Sequence, residues 1–334
     1  MAVVGPGYLL EVSVVEEELS FETAAERADD FLRRLEALDL KIKVGGFCLH
    51  ALFCLVEMAA AAKDAKAGKQ AHFPSEAYLV AVQAQRLVER IAVAPDDFLL
   101  KAREALEWSA AARPALSAKD HLNRELVERI GVDYQAAKRG ADTFWEIAAG
   151  LAAFGISSET MTMTAPGADT DGMNVDVVYV SGSYRVGVEC KCVENAWKSL
   201  PGLLIKGAPK FAQHPVERGL FAVNVSRLLL EEEIVYPDGS EPSAVISSLL
   251  RDRFYELWSV GLVDGSLVEA FSVPAKPWIL LYGEKPLSIE DANGQRIYTA
   301  SGSCLLSPLE PHQDDEPIMR TFANSLLALA GGVP

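Results

Sequence analysis

The run Met173-Asn174-Val175-Asp176-Val177-Val178-Tyr179-Val180-Ser181-Gly182-Ser183-Tyr184-Arg185-Val186-Gly187-Val188-Glu189-Cys190-Lys191-Cys192-Val193 decides how the chain is read. Two valine-rich, strand-like stretches flank Ser181-Gly182-Ser183, and a turn between two such stretches predicts an antiparallel hairpin. Apolar strands keep ionised groups at their ends or on a wet face, because an unpaired buried carboxylate is costly. Asp176 and Glu189 break that expectation. Alternation puts Glu189 and Lys191 on one face of their strand.

Register decides whether Asp176 joins them. A two-residue loop at Ser181-Gly182 pairs Val180 with Ser183, sets Asp176 opposite Gly187, and makes Glu189 its diagonal neighbour on the same face. A three-residue loop without a bulge turns Glu189 to the other face, because a one-residue slip reverses every side chain. In the first register two carboxylates enter one pocket, with Gly187 leaving space above it. Two oxygen donors a cation's width apart suit Mg²⁺ or Mn²⁺. A lysine beside them can orient the attacking water and offset charge developing on a phosphate.

Working outward, a helix is expected over 141–154 before the hairpin, another over 199–213 after it, and a buried strand over 219–226. Further elements are a helix over 243–260, a strand over 277–282 and a helix over 316–330. The front of the chain differs. After a short strand at 8–15, Ala24, Ala28, Phe31, Leu35 and Leu38 recur with helical spacing, and helices are expected over 44–67, 75–92, 95–112 and 118–130. Pro95-Asp96-Asp97 is a helix start of the usual kind, with proline at the front and acids favoured by the dipole. The expected organisation is a helical domain over 1–135 and an α/β (α+β) domain over 136–334.

Composition bounds the function. Half of the 334 residues are hydrophobic, enough for a sizeable core. The five cysteines show no Cys-x-x-Cys spacing, and no signal peptide or bilayer-spanning run is visible, so a cytoplasmic protein without membrane contact is expected. A net charge of −16 excludes coating nucleic acid through the general field. Residues 181–230 nonetheless hold seven Lys and Arg against three Glu, a basic island in an acidic chain. His50, Cys54 and Glu57 fall at helical spacing and could be drawn as a metal site, but a lone His and a free Cys in an apolar helix read as core.

Asp176, a hairpin's spacing and then Glu189-Cys190-Lys191 resemble the motif of the PD-(D/E)xK nuclease superfamily, the restriction-endonuclease-like enzymes. Asn174-Val175 stands where the family name would put proline. The resemblance implies a core of helix, antiparallel β-meander, helix and strand. It implies that Asp176 and Glu189 bind metal with the carbonyl of Cys190, that Lys191 is the catalytic lysine, and that Glu146 on the core helix also serves the metal. It further implies that the next helix contributes substrate contacts, here Lys206, Lys210 and Gln213, which share a face.

The expected activity is Mg²⁺-dependent hydrolysis of nucleic-acid phosphodiesters, with DNA ahead of RNA as the substrate. The helical section would serve dimerisation or a protein partner, and family analogy points to restriction or phage defence. Two alternatives stand beside it. One is a catalytically inactive nuclease-fold binding or scaffold protein. The other is a solvated cross-strand ion pair worth about 0–1 kcal/mol and implying no chemistry.

Overall fold

The computed structural model describes residues 12–13, 21–41, 47–67, 81–82, 85, 88–91, 93–107, 134–164, 174–193, 196–232, 234, 241–263, 266–290, 296–308 and 315–329. Two compact units emerge. One comprises Ser20–Ile147 with Ala165–Ala168; the other comprises Met1–Leu19, Ala148–Thr164 and Asp169–Pro334. The expected helix over 118–130 lies outside the described residues.

The first unit is helical where it is described. Helix α1 (Phe21–Ala37) buries Ala28, Phe31 and Leu35, one stripe at spacings of three and four. Asp39 adopts a positive φ of 55° just after the helix, and Leu40 N donates to Leu35 O, a left-handed stop to the helix. Helix α2 (Phe47–Lys66) buries Leu52, Leu55, Met58 and Ala59, while Glu57 is exposed. The helix expected over 95–112 is instead two short pieces, α3 (Asp96–Lys101) and α4 (Arg103–Leu106), broken at Ala102. Arg103 beyond the break donates to the carbonyls of Leu38 and Asp39, so tertiary ties outweigh helical continuity there. Helix α5 (Tyr134–Ile156) carries the chain from this unit into the second.

The second unit is a mixed α/β structure built on a seven-stranded sheet of order β1-β7-β6-β5-β4-β3-β2. Its strands are β1 (Val12–Ser13), β2 (Thr162–Met163), β3 (Val177–Ser181), β4 (Tyr184–Cys192), β5 (Arg218–Asn224), β6 (Trp278–Glu290) and β7 (Arg296–Pro308). The β4–β5 and β5–β6 pairs are parallel and the other four antiparallel. Parallel strands need long crossovers. Helix α6 (Leu200–Gln213) makes the first; α7 (Ser226–Glu231), α8 (Pro242–Val263) and α9 (Ser266–Phe271) lie along the second. Helix α10 (Glu316–Leu329) closes the described chain.

The hairpin has the expected two-residue loop, displaced by one position. Ser181 pairs with Tyr184, leaving Gly182-Ser183 as the loop, and Gly182 takes a φ of +60° that glycine accepts without strain. Val178 therefore sits opposite Gly187 and Val177 opposite Val188. The displacement moves the register by two residues, so every side chain keeps its face.

One face of β4 and β5 is covered by α6, whose Leu200, Leu204, Ala208 and Phe211 are buried with Val178, Phe221 and Val223. On the other face Tyr179 stacks on Phe322 of α10 with centroids 5.6 Å apart. At the bottom of β5, Arg218 spans the Tyr184 ring at 4.2 Å and reaches the buried Asp315 at 2.6 Å, tying the sheet to the start of α10. Among the described residues no helix is long and apolar enough to cross a membrane.

Candidate active site

Asp176 lies one residue before β3, and the ladder that pairs Val177 with Val188 brings it directly across from Glu189. This replaces the expected diagonal relationship with a face-to-face one. Asp176 Oδ2 accepts a hydrogen bond from Cys190 N at 2.7 Å. Its main chain is held as well: Thr164 N donates to Asp176 O at 2.9 Å, and Thr164 Oγ1 donates to Val175 O at 2.8 Å. His214 Nδ1 meets Asn174 Oδ1 at 3.3 Å, so the segment leading into Asp176 is tied to the residue that ends α6.

Glu189 is completely buried, yet its carboxylate is not apolar in its surroundings. Oε1 accepts from Lys191 Nζ and from Lys210 Nζ, the latter at 2.8 Å. Oε2 is buried with no hydrogen-bond partner among the described residues. Lys191 Nζ also donates to the carbonyl of Cys190 at 3.1 Å. Strand β4 thus presents an acid, a main-chain carbonyl and an ammonium group at adjoining positions.

The electrostatics follow from this packing. Burial, and after it the charge of Asp176, push the Glu189 carboxyl up to about 7 against the pull of Lys191 and Lys210. Burial works against the Lys191 ammonium, but Glu189 and then Asp176 more than offset it and hold that group above its ordinary range. Glu189 is therefore an acid that feels the charge of Asp176, beside a lysine that stays charged.

Helix α6 supplies the cover. Gly207 sits so close that a Cβ there would meet the Phe221 ring at 2.6 Å and Glu189 Cγ at 3.4 Å. Phe221 in turn packs edge-on against Phe211 and Phe271, at 5.0 and 5.6 Å, so the stem of Glu189 is walled by aromatic rings. Gly187 does not leave the open space expected of it. A Cβ there would meet Val216 at 3.0 Å and Val175 at 3.2 Å, because the chain leading into Asp176 folds back over it.

Of the three α6 residues singled out from the sequence, Lys210 reaches the site, whereas Lys206 and Gln213 are exposed. Glu146 is buried on α5, in the part of that helix that belongs to the first unit. Among the described residues no group of three or more His, Cys, Asp and Glu side chains is gathered as a ready metal cage. Asp176 and Glu189 form a pair. The basic island is also partly consumed, since Arg218 is committed to Asp315.

No family model, curated protein or solved structure matches the chain. The functional reading stands on the site. Sequence reasoning missed Thr164, Asn174 and His214, because their contacts join segments separated along the chain, Thr164 with Val175 and Asp176 and His214 with Asn174, and no periodic pattern marks such contacts.

Proposed function

We propose that the chain is a metal-dependent nuclease of the PD-(D/E)xK type, with a restriction-endonuclease-like core formed by α5, β2–β4, α6 and β5. The observation that carries the reading is Asp176 facing Glu189 across the hairpin, with Lys191 two positions further along the same face. The order helix, antiparallel meander, helix, strand supports it.

The donor set fits Mg²⁺ or Mn²⁺. Two carboxylates and the Cys190 carbonyl offer hard oxygen ligands, and Glu189 Oε2 is a buried acceptor lacking a partner among the described residues. Asp176, Glu189 and the Cys190 carbonyl would hold the ion, with water filling the other positions. Its chemistry, when bound, is polarisation of a phosphate and acidification of a coordinated water. Lys191, kept charged by its neighbours, orients the attacking water and stabilises charge on the phosphate oxygens. The substrate class we propose is nucleic acid, DNA before RNA.

The test is Mg²⁺-dependent cleavage of duplex DNA, single-stranded DNA and RNA by the full chain, compared with Asp176→Ala and Lys191→Ala. Cleavage is expected in the wild type and a loss of about a hundredfold or more in each variant, with unchanged circular dichroism. Equal cleavage by all three proteins would remove the assignment.

A second reading has its own observation. The buried Glu189 with both lysines on one oxygen is also how a closed structural ion-pair network looks. A non-catalytic nuclease-fold scaffold would bind no divalent cation in calorimetry and cleave none of the three substrates.

A further inference from the structure

Each of the two acids already has one oxygen engaged by the protein. Glu189 Oε1 accepts from Lys191 Nζ on its own strand and from Lys210 Nζ on the covering helix α6. A carboxylate oxygen offers two lone pairs, so Oε1 is filled. Asp176 Oδ2 accepts from Cys190 N at 2.7 Å. What Glu189 keeps for a metal is Oε2, buried with no hydrogen-bond partner among the described residues.

That division limits how many ions the pair can serve. Two-metal phosphodiesterase sites hold their ions close together, so a carboxylate must give one oxygen to each ion while further acids complete the two shells. Glu189 cannot bridge in this way while Oε1 carries two ammonium groups. Among the described residues no third His, Cys, Asp or Glu is gathered with the pair. A second ion would therefore share Asp176 alone. A single Mg²⁺ asks for less, since one or two carboxylates hold it and waters and a substrate phosphate fill the remaining positions.

Charge leads to the same count. With both acids ionised, the two carboxylates and the two ammonium groups cancel. One divalent ion leaves two positive charges, which a phosphodiester and a hydroxide would neutralise. A second ion would leave four, gathered about a Glu189 that has no exposure, where like charges repel strongly.

We propose that this is a one-metal site, and that Lys210 stands in place of a second metal ion by fixing a positive charge on Glu189 Oε1. The inference rests on the nuclease reading and deepens it. Lys210 is a positioning residue here: it stays on Oε1 and leaves Oε2 as the oxygen that Glu189 gives to the ion. A compact ammonium suits that part, being a point charge that brings no further ligands of its own.

The experiment counts Mn²⁺ bound to the full chain by isothermal titration calorimetry and reads the bound ion by electron paramagnetic resonance. Both are done with and without thymidine monophosphate as a phosphate ligand. Wild type should bind one ion per chain, with the resolved hyperfine spectrum of an isolated Mn²⁺, and the nucleotide should leave the count at one. Asp176→Ala should lose the ion. Lys210→Glu puts a carboxylate where the ammonium was, and should take up two ions with the broadened spectrum of a spin-coupled pair. Lys210→Arg keeps the charge and should stay at one, a contrast that a merely structural role would not produce.

Two ions in the wild type, abolished by Asp176→Ala, would overturn the inference and leave the nuclease reading intact. So would a folded Lys210→Glu that still binds a single ion. If that variant does not fold, the count and spectrum of the wild type decide. Absence of Mn²⁺ binding in the wild type would overturn both.

Discussion

Asp176 and Glu189 face each other across the β3–β4 hairpin, and Asp176 is fixed there by the amide of Cys190, the residue after Glu189. The two acids therefore cannot drift apart without opening the ladder between them. Their mutual charge and the burial of Glu189 place the Glu189 carboxyl at about 7, far enough from its ordinary 4.5 to be measured.

A pH dependence of stability follows from that value. The folded protein binds the Glu189 proton more tightly than the unfolded chain does. Its stabilising contribution is fully present below about 4.5, and is lost as pH rises through about 7. In urea unfolding with EDTA present, the wild-type midpoint should fall across this window, and Glu189→Gln should flatten the fall. An identical slope in both proteins would show that Glu189 does not titrate there.

Gly207 is a packing requirement. Gly207→Ala forces a methyl into the Phe221 ring and against the Glu189 stem, so α6 must lift from the sheet. The expected cost is about 1–3 kcal/mol in thermal or urea unfolding, as for other overpacked sites. Mn²⁺ affinity should change with it, because the same helix rests against the Glu189 stem. Wild-type stability in this variant would mean that the helix does not rest on Glu189 as closely as described.

Thr164 links the segment after β2 to Asp176, the proposed metal ligand. Thr164→Val removes the hydroxyl that holds the Val175 carbonyl while keeping the shape of the side chain. A loss of about 1 kcal/mol in stability is expected from the one hydrogen bond. The more telling expectation is a severalfold weaker Mn²⁺ affinity, because the main chain of Asp176 loses one of its two ties. Calorimetry showing unchanged affinity would confine Thr164 to a structural role.

Phe322 anchors the last described helix to the face of the sheet away from the site. Phe322→Ala should cost about 3–5 kcal/mol, the range for emptying a buried aromatic position. Because Tyr179, its partner, points away from Glu189, the folded fraction should bind Mn²⁺ as the wild type does. A large change in metal affinity would show that the two faces of the sheet are coupled.

The hairpin and its faces were legible because alternation carries them. Glu189 and Lys191 share a face whatever the partner strand does, and the register moved by two residues without changing which face any side chain takes. What the sequence does not display is anything set by distant chain. Gly187 reads as an opening, but Val175 and Val216 close over it. Strand β7 was not expected, and β6 was expected to end near Tyr282 although it runs to Glu290. Pro286, Gly302 and several serines make those runs look like connections. The three α6 residues looked equivalent by spacing; only Lys210 reaches Glu189, because burial is decided by where the helix settles on Phe221. Glu284 shows the same limit on a smaller scale: it is buried beside the Tyr282 hydroxyl, past the expected end of its strand.

The most direct test of the proposed metal site is anomalous diffraction from crystals of the full chain soaked in Mn²⁺. The account predicts a peak between Asp176 and Glu189, with carboxylate oxygens and the Cys190 carbonyl at roughly 2.0–2.3 Å. No peak there at saturating Mn²⁺ would contradict it.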